Sequence, residues 1–190
     1  MESDVTESPV VPSSGGAGGS TGIRADRDWR GWLLALSVLI IWADRLSKRW
    51  VEKHVAVGHT INIIPRTFWI SHVYNSGAAF SLFGDSASPQ RVRWALVTFS
   101  LIAALLVFVF LMKLGRKITP TSVALALVLG GAIGNSFDRI HVGYVTDFLW
   151  VQFHLGSWHY HWPDFNVADS SIVIGGLLLM VDAFRSAKAG

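Results

Sequence analysis

Two aspartates in this sequence lie among apolar or aromatic residues, each next to a long apolar run. Asp147 occurs in the stretch Val145–Phe148, and Asp169 occurs in the stretch Phe165–Ser170. When two carboxylates share a site, mutual repulsion and partial desolvation raise the pKa of one of them. The protonated carboxyl can then polarise an amide carbonyl while the ionised one activates a water molecule. Such a pair hydrolyses a peptide bond without a metal ion or a covalent intermediate.

The same acids also have a purely structural explanation. Asp147 can form a simple ion pair with Arg139, and Asp169 can cap the last helix, because an acid at a helix N-terminus is favourable. Structural ion pairs perturb pKa values as active sites do. The two residues alone therefore leave catalysis and structure open.

Further polar residues follow the apolar runs. The stretch Gly130–Arg139 changes from small to polar residues, and small residues at four-residue spacing are frequent where membrane helices touch. Asp44 and Lys48 are four residues apart. On a helix they are either a surface pair worth roughly a few tenths of a kcal/mol or a pair that faces the helix bundle. The position of Asp44, where the first apolar run needs more length to span a membrane, favours the bundle.

Other catalytic chemistries lack their residues. His154, His159 and His161 are close in sequence, but without the helix-borne histidine pair and glutamate of a zinc protease, so we expect neither a metal nor a cofactor. The chain has no cysteine, and no serine-hydrolase motif is present. The histidines lie among aromatic residues that are typical of a membrane interface: Trp150, Trp158, Tyr160 and Trp162.

The composition indicates a membrane protein. Of the 190 residues, 51% are hydrophobic and 15% are charged, which is too apolar for an ordinary soluble domain. The net charge is +3, but the basic residues form no dense stripe, so nucleic-acid binding is not expected.

Two uncharged stretches, Trp94–Met112 and Ile118–Phe137, are long enough to cross a hydrocarbon core of about 30 Å. The first apolar stretch, Gly31–Ala43, is long enough only if the helix continues past Asp44. Residues 1–28 are rich in Gly, Ser, Pro and acids, which predicts a disordered tail. No small-residue cleavage site follows the first apolar stretch, so we do not expect a removable signal peptide.

The fourth apolar stretch is long enough to cross the membrane only if the helix includes the acids at its two ends. A helix over Asn166–Phe184 rises about 28 Å and carries Asp169 at or below the membrane surface. An acid there is costly and calls for a functional explanation. The sequence thus predicts a mainly α polytopic membrane protein with one domain at residues 29–188. Its four transmembrane helices are expected at about 31–50, 92–113, 118–138 and 166–184.

Two segments between the spans are typical of strands. Thr67–Tyr74 is β-branched and aromatic and lies between Pro65 and the turn residues Asn75–Gly77, and Tyr144–Phe153 is similar. Both follow odd-numbered spans, so they lie on the same side of the membrane and could pair. A small extracytoplasmic β-sheet over the acids is therefore expected.

The basic residues give mixed signals about orientation. Lys113, Arg116 and Lys117 follow the second span, whereas the connection after the third contains only Arg139 among its Lys and Arg residues. This places both termini in the cytoplasm by the positive-inside rule. The segment after the first span has the opposite bias, which we discount in part because several of its basic residues can pair locally: Arg45, Lys48, Arg49, Lys53, Arg66, Arg91 and Arg93.

Four stretches in order resemble the motif set of the bacterial lipoprotein signal peptidases, also called signal peptidase II. They are Asn75–Phe80, Gly131–Arg139, Val145–Phe148 and Phe165–Ser170. Each motif is weak alone, but four in order are specific. The resemblance covers roughly residues 30 to 185, and one departure is Ser47 before Lys48, where the family usually has Thr.

The resemblance implies that Asp147 and Asp169 are a catalytic dyad. It also implies residues that orient the substrate or the dyad: Asn75, Gly77, Asn135, Arg139, Asn166, Asp44 and Lys48. The implied substrate is a prolipoprotein, cut before a cysteine that carries a diacylglyceryl group. The implied location is the bacterial inner membrane, with the site near the outer face, membrane lipid around it and a monomeric enzyme.

Two other functions remain possible from the residues alone. In a small transporter or ion-binding protein, Asp44, Asp147 and Asp169 would form a proton or cation path. However, no inverted repeat is evident. A non-catalytic scaffold that packs through its Gly-rich helix would leave the paired acids unexplained.

Overall fold

A computed structural model describes residues 27–77, 88–156 and 158–189. The predicted tail lies almost wholly outside the described residues, as do Ala78–Phe80 of the first motif. The described residues form four helices. These are α1 (Arg30–His54), α2 (Pro89–Leu114), α3 (Pro120–His141) and α4 (Val167–Ala189).

The helices agree with the predicted spans and extend beyond most of them. Three helices, α2, α3 and α4, are long and apolar enough to cross a membrane. Helix α1 has 25 residues, which is sufficient length, but its second half contains several charged residues. The mainly α fold is confirmed, and the crossing of the membrane by α1 stays a prediction.

Local sequence explains where α2 and α3 begin. Each starts with a proline in its first turn, where the missing N–H would have no helical partner. Thr119 precedes α3 and accepts a hydrogen bond from the backbone N–H of Ser122, while the Ser122 hydroxyl accepts one from the backbone N–H of Thr119. This capping box satisfies two N–H groups that a helix end otherwise leaves free.

Helix α3 lies at the centre of the bundle, where it contacts α1, α2 and α4. Small residues permit this close packing. A Cβ atom added at Gly131 would lie 2.4 Å from the backbone oxygen of Ala168 on α4, so any side chain there would force α3 and α4 apart. The predicted packing through the Gly-rich part of the third span is confirmed.

A four-stranded antiparallel sheet follows the ends of α1 and α3. Its order is β1 (Thr60–Ile64), β2 (Phe68–Asn75), β3 (Val145–Leu155) and β4 (Trp158–Phe165). The predicted pairing of the two extended segments is confirmed, since β2 pairs with β3. The edge strands β1 and β4 were not predicted.

Candidate active site

Asp147 is held on β3 by two asparagine side chains. It is 2% exposed. Asn75, the last residue of β2, donates from Nδ2 to Asp147 Oδ2 at 2.9 Å. Asn166, immediately before α4, donates from Nδ2 to Asp147 Oδ1 at 2.7 Å. Both carboxylate oxygens are therefore fixed, each by a different element.

Asp169 lies in the first turn of α4 and forms a reciprocal cap with Asn166. The Asn166 side-chain oxygen accepts from the backbone N–H of Asp169 at 2.9 Å, and Asp169 Oδ2 accepts from the backbone N–H of Asn166 at 3.3 Å. Asn135 on α3 donates from Nδ2 to Asp169 Oδ1 at 2.7 Å. Asp169 therefore caps α4, as the purely structural explanation of this acid predicted. It nevertheless remains partly exposed.

One side chain fixes the two carboxylates relative to each other. Asn166 is fully buried, donates to Asp147 and accepts from the backbone of Asp169. Because its oxygen is engaged by that N–H, its amide nitrogen must face Asp147. The start of α4 therefore positions both acids.

A buried network of ion pairs supports this arrangement from α1. Lys48 Nζ lies 2.6 Å from Asp44 Oδ2 and 2.7 Å from Asp138 Oδ2, and it donates to Asn135 Oδ1 at 3.0 Å. Asp138 also pairs with Arg45. Lys48 and Asp44 have no exposed surface. Two positive and two negative charges thus balance inside the bundle, as buried charges require.

Asp44 links this network to α4. Its Oδ1 accepts from the backbone N–H of Ala168 at 3.0 Å, which satisfies another N–H of the first turn of α4. A Cβ atom added at Gly134 would lie 3.1 Å from Asp44 Oδ2. A side chain at position 134 would crowd the Asp44 carboxylate, so the glycine leaves room for it.

Arg139 fixes the segment that follows β2. It is 8% exposed, and its Nη2 donates to the backbone oxygen of Gly77 at 2.6 Å. The backbone N–H of Gly77 in turn donates to Asn75 Oδ1 at 3.0 Å, which orients the Asn75 amide toward Asp147. Among the described residues, Asp147 takes part in no ion pair. The alternative explanation from the sequence, an ion pair between Asp147 and Arg139, is therefore not what fixes the Asp147 side chain.

Burial raises the pKa of Asp147 to about 7, and the negative charge of Asp169 acts in the same direction. Hydrogen bonds from Asn75 and Asn166, together with the charge of Lys48, oppose this rise. Asp147 is thus a buried carboxyl that exchanges its proton near neutral pH. That property is required of a group that gives and takes a proton during hydrolysis.

The nine site residues that the sequence suggested form one continuous cluster. Two further members, Arg45 and Asp138, had no predicted role. Asp138 precedes Arg139 in the third-span motif, and Arg45 follows Asp44, so their charges beside site residues were the available signal. Within the described ranges, no group of three or more His, Asp or Glu residues is arranged to hold a metal ion.

Comparisons with known proteins identify the family to which the chain is similar. The family model described as signal peptidase (SPase) II matches residues 36–185. A lipoprotein signal peptidase of Pseudomonas syringae pv. tomato is 42% identical over 84% of this chain and 88% of its own. One of Pseudomonas aeruginosa is 39% identical over 88% of this chain and 96% of its own.

Solved structures match the fold as well. Two are titled as bacterial membrane enzyme structures. One has a TM-score of 0.67 at 24% identity and covers 85% of this chain and 93% of its own. The other has a TM-score of 0.63 at 26% identity and covers 83% of this chain and 96% of its own.

Proposed function

Since the chain belongs to the signal peptidase II family, an aspartic endopeptidase family of the bacterial inner membrane, we propose that Asp147 and Asp169 are the dyad with which it removes signal peptides from prolipoproteins. The observation that carries the assignment is the bridge through Asn166. This one buried side chain binds Asp147 and the backbone of Asp169. No other function weighed from the sequence requires two carboxylates held in this way.

The chemistry divides between the two acids. Asp147 holds the shared proton, because its burial and the charge of Asp169 raise its pKa to about 7. It donates that proton to the oxygen of the scissile carbonyl. Asp169, which is the more exposed acid, takes a proton from the attacking water. The proton then passes to the leaving nitrogen as the tetrahedral intermediate collapses.

The remaining polar residues position these groups. Asn75, Asn135 and Asn166 hold the carboxylates through their amide nitrogens. Arg139 and Gly77 hold the chain after β2 beside the site, where an incoming peptide can extend along it. Every one of these groups comes from a single chain, which supports a monomeric enzyme.

The substrate is a prolipoprotein whose cleavage site precedes a diacylglyceryl-modified cysteine. Its acyl chains remain in the bilayer while the scissile bond meets the dyad. This proposal is supported by the position of Asp169, in the first turn of a membrane-spanning helix. A lipid-anchored peptide bond lies at the same level.

Both termini lie in the cytoplasm and the dyad lies near the outer face. Three of the basic residues that argued against this orientation are engaged within the protein. Arg45 and Lys48 form buried ion pairs, and Arg93 donates to the backbone oxygens of Arg139 and Ile140. These charges have partners in the fold and carry less weight in the positive-inside count.

At the opposite end, the start of α1 and the connection between α2 and α3 lie together, since the Trp29 N–H donates to Arg116 O. Basic residues cluster at this end: Arg27, Arg30, Lys113, Arg116 and Lys117. Alkylation of single cysteines in whole cells tests the orientation. A Lys117→Cys variant should react only with a membrane-permeant reagent, whereas a His59→Cys variant should also react with an impermeant one.

Cleavage by purified protein tests the dyad. The assay is a gel shift of a diacylglyceryl-modified prolipoprotein in detergent, with no ion gradient. The parent should release the signal peptide, and Asp147→Asn and Asp169→Asn should each abolish release. Asp182→Asn is the matched control, because Asp182 lies on the same helix as Asp169 but binds Thr121 at the other end.

Full activity of a well-folded dyad variant would remove that acid from the proposed mechanism. Activity of the parent should persist in the presence of a chelator, and loss of activity on chelation would refute a metal-free dyad. If the folded parent cleaves nothing, the proposed activity itself fails and ion binding becomes the function to test.

A further inference from the structure

A groove runs along the side of the helix bundle between α1 and α2. Both helices pack against α3, and over the described residues they hardly contact each other. The groove has a volume of about 470 Å³, which is within the range of roughly 300–1,000 Å³ that is usual for ligand sites. Leu129 and Ile133 of α3 form its floor. The fold therefore leaves an apolar slot beside α3.

The lining of the groove favours hydrocarbon. It includes residues of α1 from 34 to 41 and residues of α2 from 101 to 108, which is about 10 Å along each helix at 1.5 Å per residue. Among the described residues of the lining, Ser37 alone is polar, and its hydroxyl donates to the backbone oxygen of Ala126 at 2.8 Å. The groove is therefore suited to an apolar chain.

The groove lies on the side of α3 that faces away from the dyad. Asn135, which donates to Asp169, is two residues after Ile133 on α3. At 3.6 residues per turn, two residues correspond to about 200° around a helix. Ile133 therefore faces the groove while Asn135 faces the acids, and a ligand of the groove is distinct from the peptide that the dyad would cut.

One end of the groove lies beside basic residues. Arg30 is one turn before Leu34 on the same face of α1. A Cβ atom added at Gly115, which follows α2, would lie 3.4 Å from Arg30 Cγ. The Trp29 N–H donates to the backbone oxygen of Arg116. The start of α1 and the basic end of α2 therefore meet where the groove ends.

Arg30 has a donor that the protein does not use. Its Nε atom is buried and has no hydrogen-bond partner among the described residues, and a buried charged donor without a partner is costly. Its ion pair with Asp28 is a 3.6 Å contact to a half-exposed carboxylate. Helices α1 and α3 both start at this end, and neither has an acid in its first turn. The electrostatics of this end therefore favour an anion.

We propose that this end of the groove binds a phospholipid with an anionic headgroup, with its phosphate beside Arg30 and Arg116 and one acyl chain in the slot between α1 and α2. Arginine binds phosphate oxygens through paired N–H groups, and basic pockets between spanning helices suit such headgroups. The lipid fills the space between the two helices. It thereby fixes α2, which packs mainly against α3, relative to α1.

Lipid binding by the purified full chain tests this proposal. Protein in a nonionic detergent is titrated with phosphatidylglycerol or with phosphatidylcholine of the same chain length, and native mass spectrometry measures the fraction that carries one lipid. Arg30→Gln and Arg116→Gln each remove one charge from the site. Arg185→Gln is the matched control, because Arg185 is exposed at the same end of the bundle but lies on α4, which does not line the groove.

The expected result is a preference for the anionic lipid that depends on the two arginines. Phosphatidylglycerol should bind more tightly than phosphatidylcholine. Arg30→Gln and Arg116→Gln should each raise its Kd about fivefold, the ratio given by about 1 kcal/mol per basic residue near a lipid surface. Arg185→Gln should leave Kd unchanged. Equal affinity for the two lipids, or equal effects of the three substitutions, would refute the proposal.

A second pair of variants tests the place of the acyl chain. Leu101 lines the groove and is 45% exposed, so Leu101→Trp should obstruct the slot and weaken phosphatidylglycerol binding without a change of charge. Leu106→Trp is the matched control, because Leu106 is 55% exposed on the same helix and lies outside the lining. Unchanged binding by a Leu101→Trp variant that melts at the parent temperature would overturn the placement of the chain in the groove.

Inorganic phosphate separates the headgroup from the whole lipid. It offers the same anionic chemistry without a chain, so an equal concentration should not displace phosphatidylglycerol. Displacement would mean that the site holds a phosphate ion and that the groove plays no part, which would refute a lipid site. These experiments measure no cleavage, so their outcome does not depend on whether Asp147 and Asp169 are the dyad.

Discussion

Replacement of Lys48 by methionine separates the two roles that the structure gives this residue. Lys48 balances the charges of Asp44 and Asp138, and it holds the side-chain oxygen of Asn135. Methionine has similar length and no charge. The Lys48→Met variant therefore leaves a buried negative charge without its partner and also frees the Asn135 amide.

The loss of stability should be large. Removal of one member of a buried ion pair costs about 3 to 5 kcal/mol, and Lys48 and Asp44 are both fully buried. Asp138 keeps Arg45, so the deficit falls on Asp44. For a domain of this size such a loss lowers the melting temperature by on the order of 10 °C. The nine tryptophans make intrinsic fluorescence a direct probe of unfolding in detergent.

The loss of activity should have a different origin. Without Lys48, the Asn135 amide can rotate and present its oxygen to Asp169 in place of its nitrogen. A small displacement of a catalytic group can cost about 10²-fold in rate. We expect kcat to fall by this order while KM changes little, because the substrate-facing segment held by Arg139 is untouched.

A double variant distinguishes charge balance from positioning. Asp44→Asn combined with Lys48→Met restores neutrality, and an asparagine oxygen can still accept from the Ala168 N–H. Stability should largely return while kcat stays low. Arg45→Met is the matched control. It removes a partly exposed partner of Asp138 and leaves Lys48 on Asn135, so it should retain most activity.

The reasoning fails if the double variant recovers both stability and kcat, because Lys48 would then serve charge balance alone. It also fails if the single variant unfolds at the parent temperature. The buried network would then contribute nothing measurable.

Four further predictions concern the dyad and the packing around it. Because the pKa of Asp147 is about 7, a pH–rate profile should show kcat/KM falling as pH rises through about 7; a flat profile would contradict the assignment of the shared proton. The folded state also holds the proton of Asp147 more tightly than the unfolded state, in which the pKa of this residue is near 3.8. The stability that results is fully present below pH 3.8 and is lost as pH rises through about 7. The melting temperature of Asp147→Asn should therefore depend less on pH than the melting temperature of the parent. Gly131→Ala should lower the free energy of unfolding, measured by thermal melting, by about 1 to 3 kcal/mol. Gly176→Ala is the control and should not lower it, because no atom lies within 4 Å of the added Cβ. Equal effects of the two substitutions would refute the close approach of α3 and α4. Asn166→Ala should remove about 1 kcal/mol of helix capping and lower kcat more than it raises KM; unchanged kinetics would show that the bridge does not position the dyad.

Hydropathy located the helices but not all of their ends. The last helix was expected to end near residue 184 and continues to Ala189, and the first continues past residue 50 to His54. In both cases the added residues are largely polar. Hydropathy marks the part of a helix that lies in lipid, whereas backbone hydrogen bonding continues beyond it.

The edge strands were harder to predict than the central pair. β2 and β3 have the β-branched and aromatic residues of strands. β4 contains Pro163 and three closely spaced polar residues, which a single sequence presents as a loop. Proline is tolerated because β4 lies at the sheet edge, where one side of the strand needs no partner. The aromatic residues at 158, 160 and 162 were assigned to the membrane interface, and only the register revealed that they share one face.

The acids and amides of the site could be found from sequence because local motifs contain them. The charged residues that support these acids and amides could not be found in this way. Arg45 and Asp138 are 93 residues apart, and no local pattern relates them. Lys48 was expected to pair with Asp44 from their spacing on one turn, and that pair is present. Its contacts with Asn135 and Asp138 depend on how α1 packs against α3, which spacing within α1 does not determine.

The first turn of α4 joins stability and catalysis. A helix that starts at a membrane surface must satisfy the N–H groups of its first turn without water. Here Asp44 accepts from Ala168, Asn166 accepts from Asp169, and Asp169 accepts from Asn166. One of the two carboxyl groups that complete the helix, that of Asp169, therefore also belongs to the proposed dyad. Folding of this turn assembles the site, because Asn166 cannot cap the helix without also presenting its amide nitrogen to Asp147.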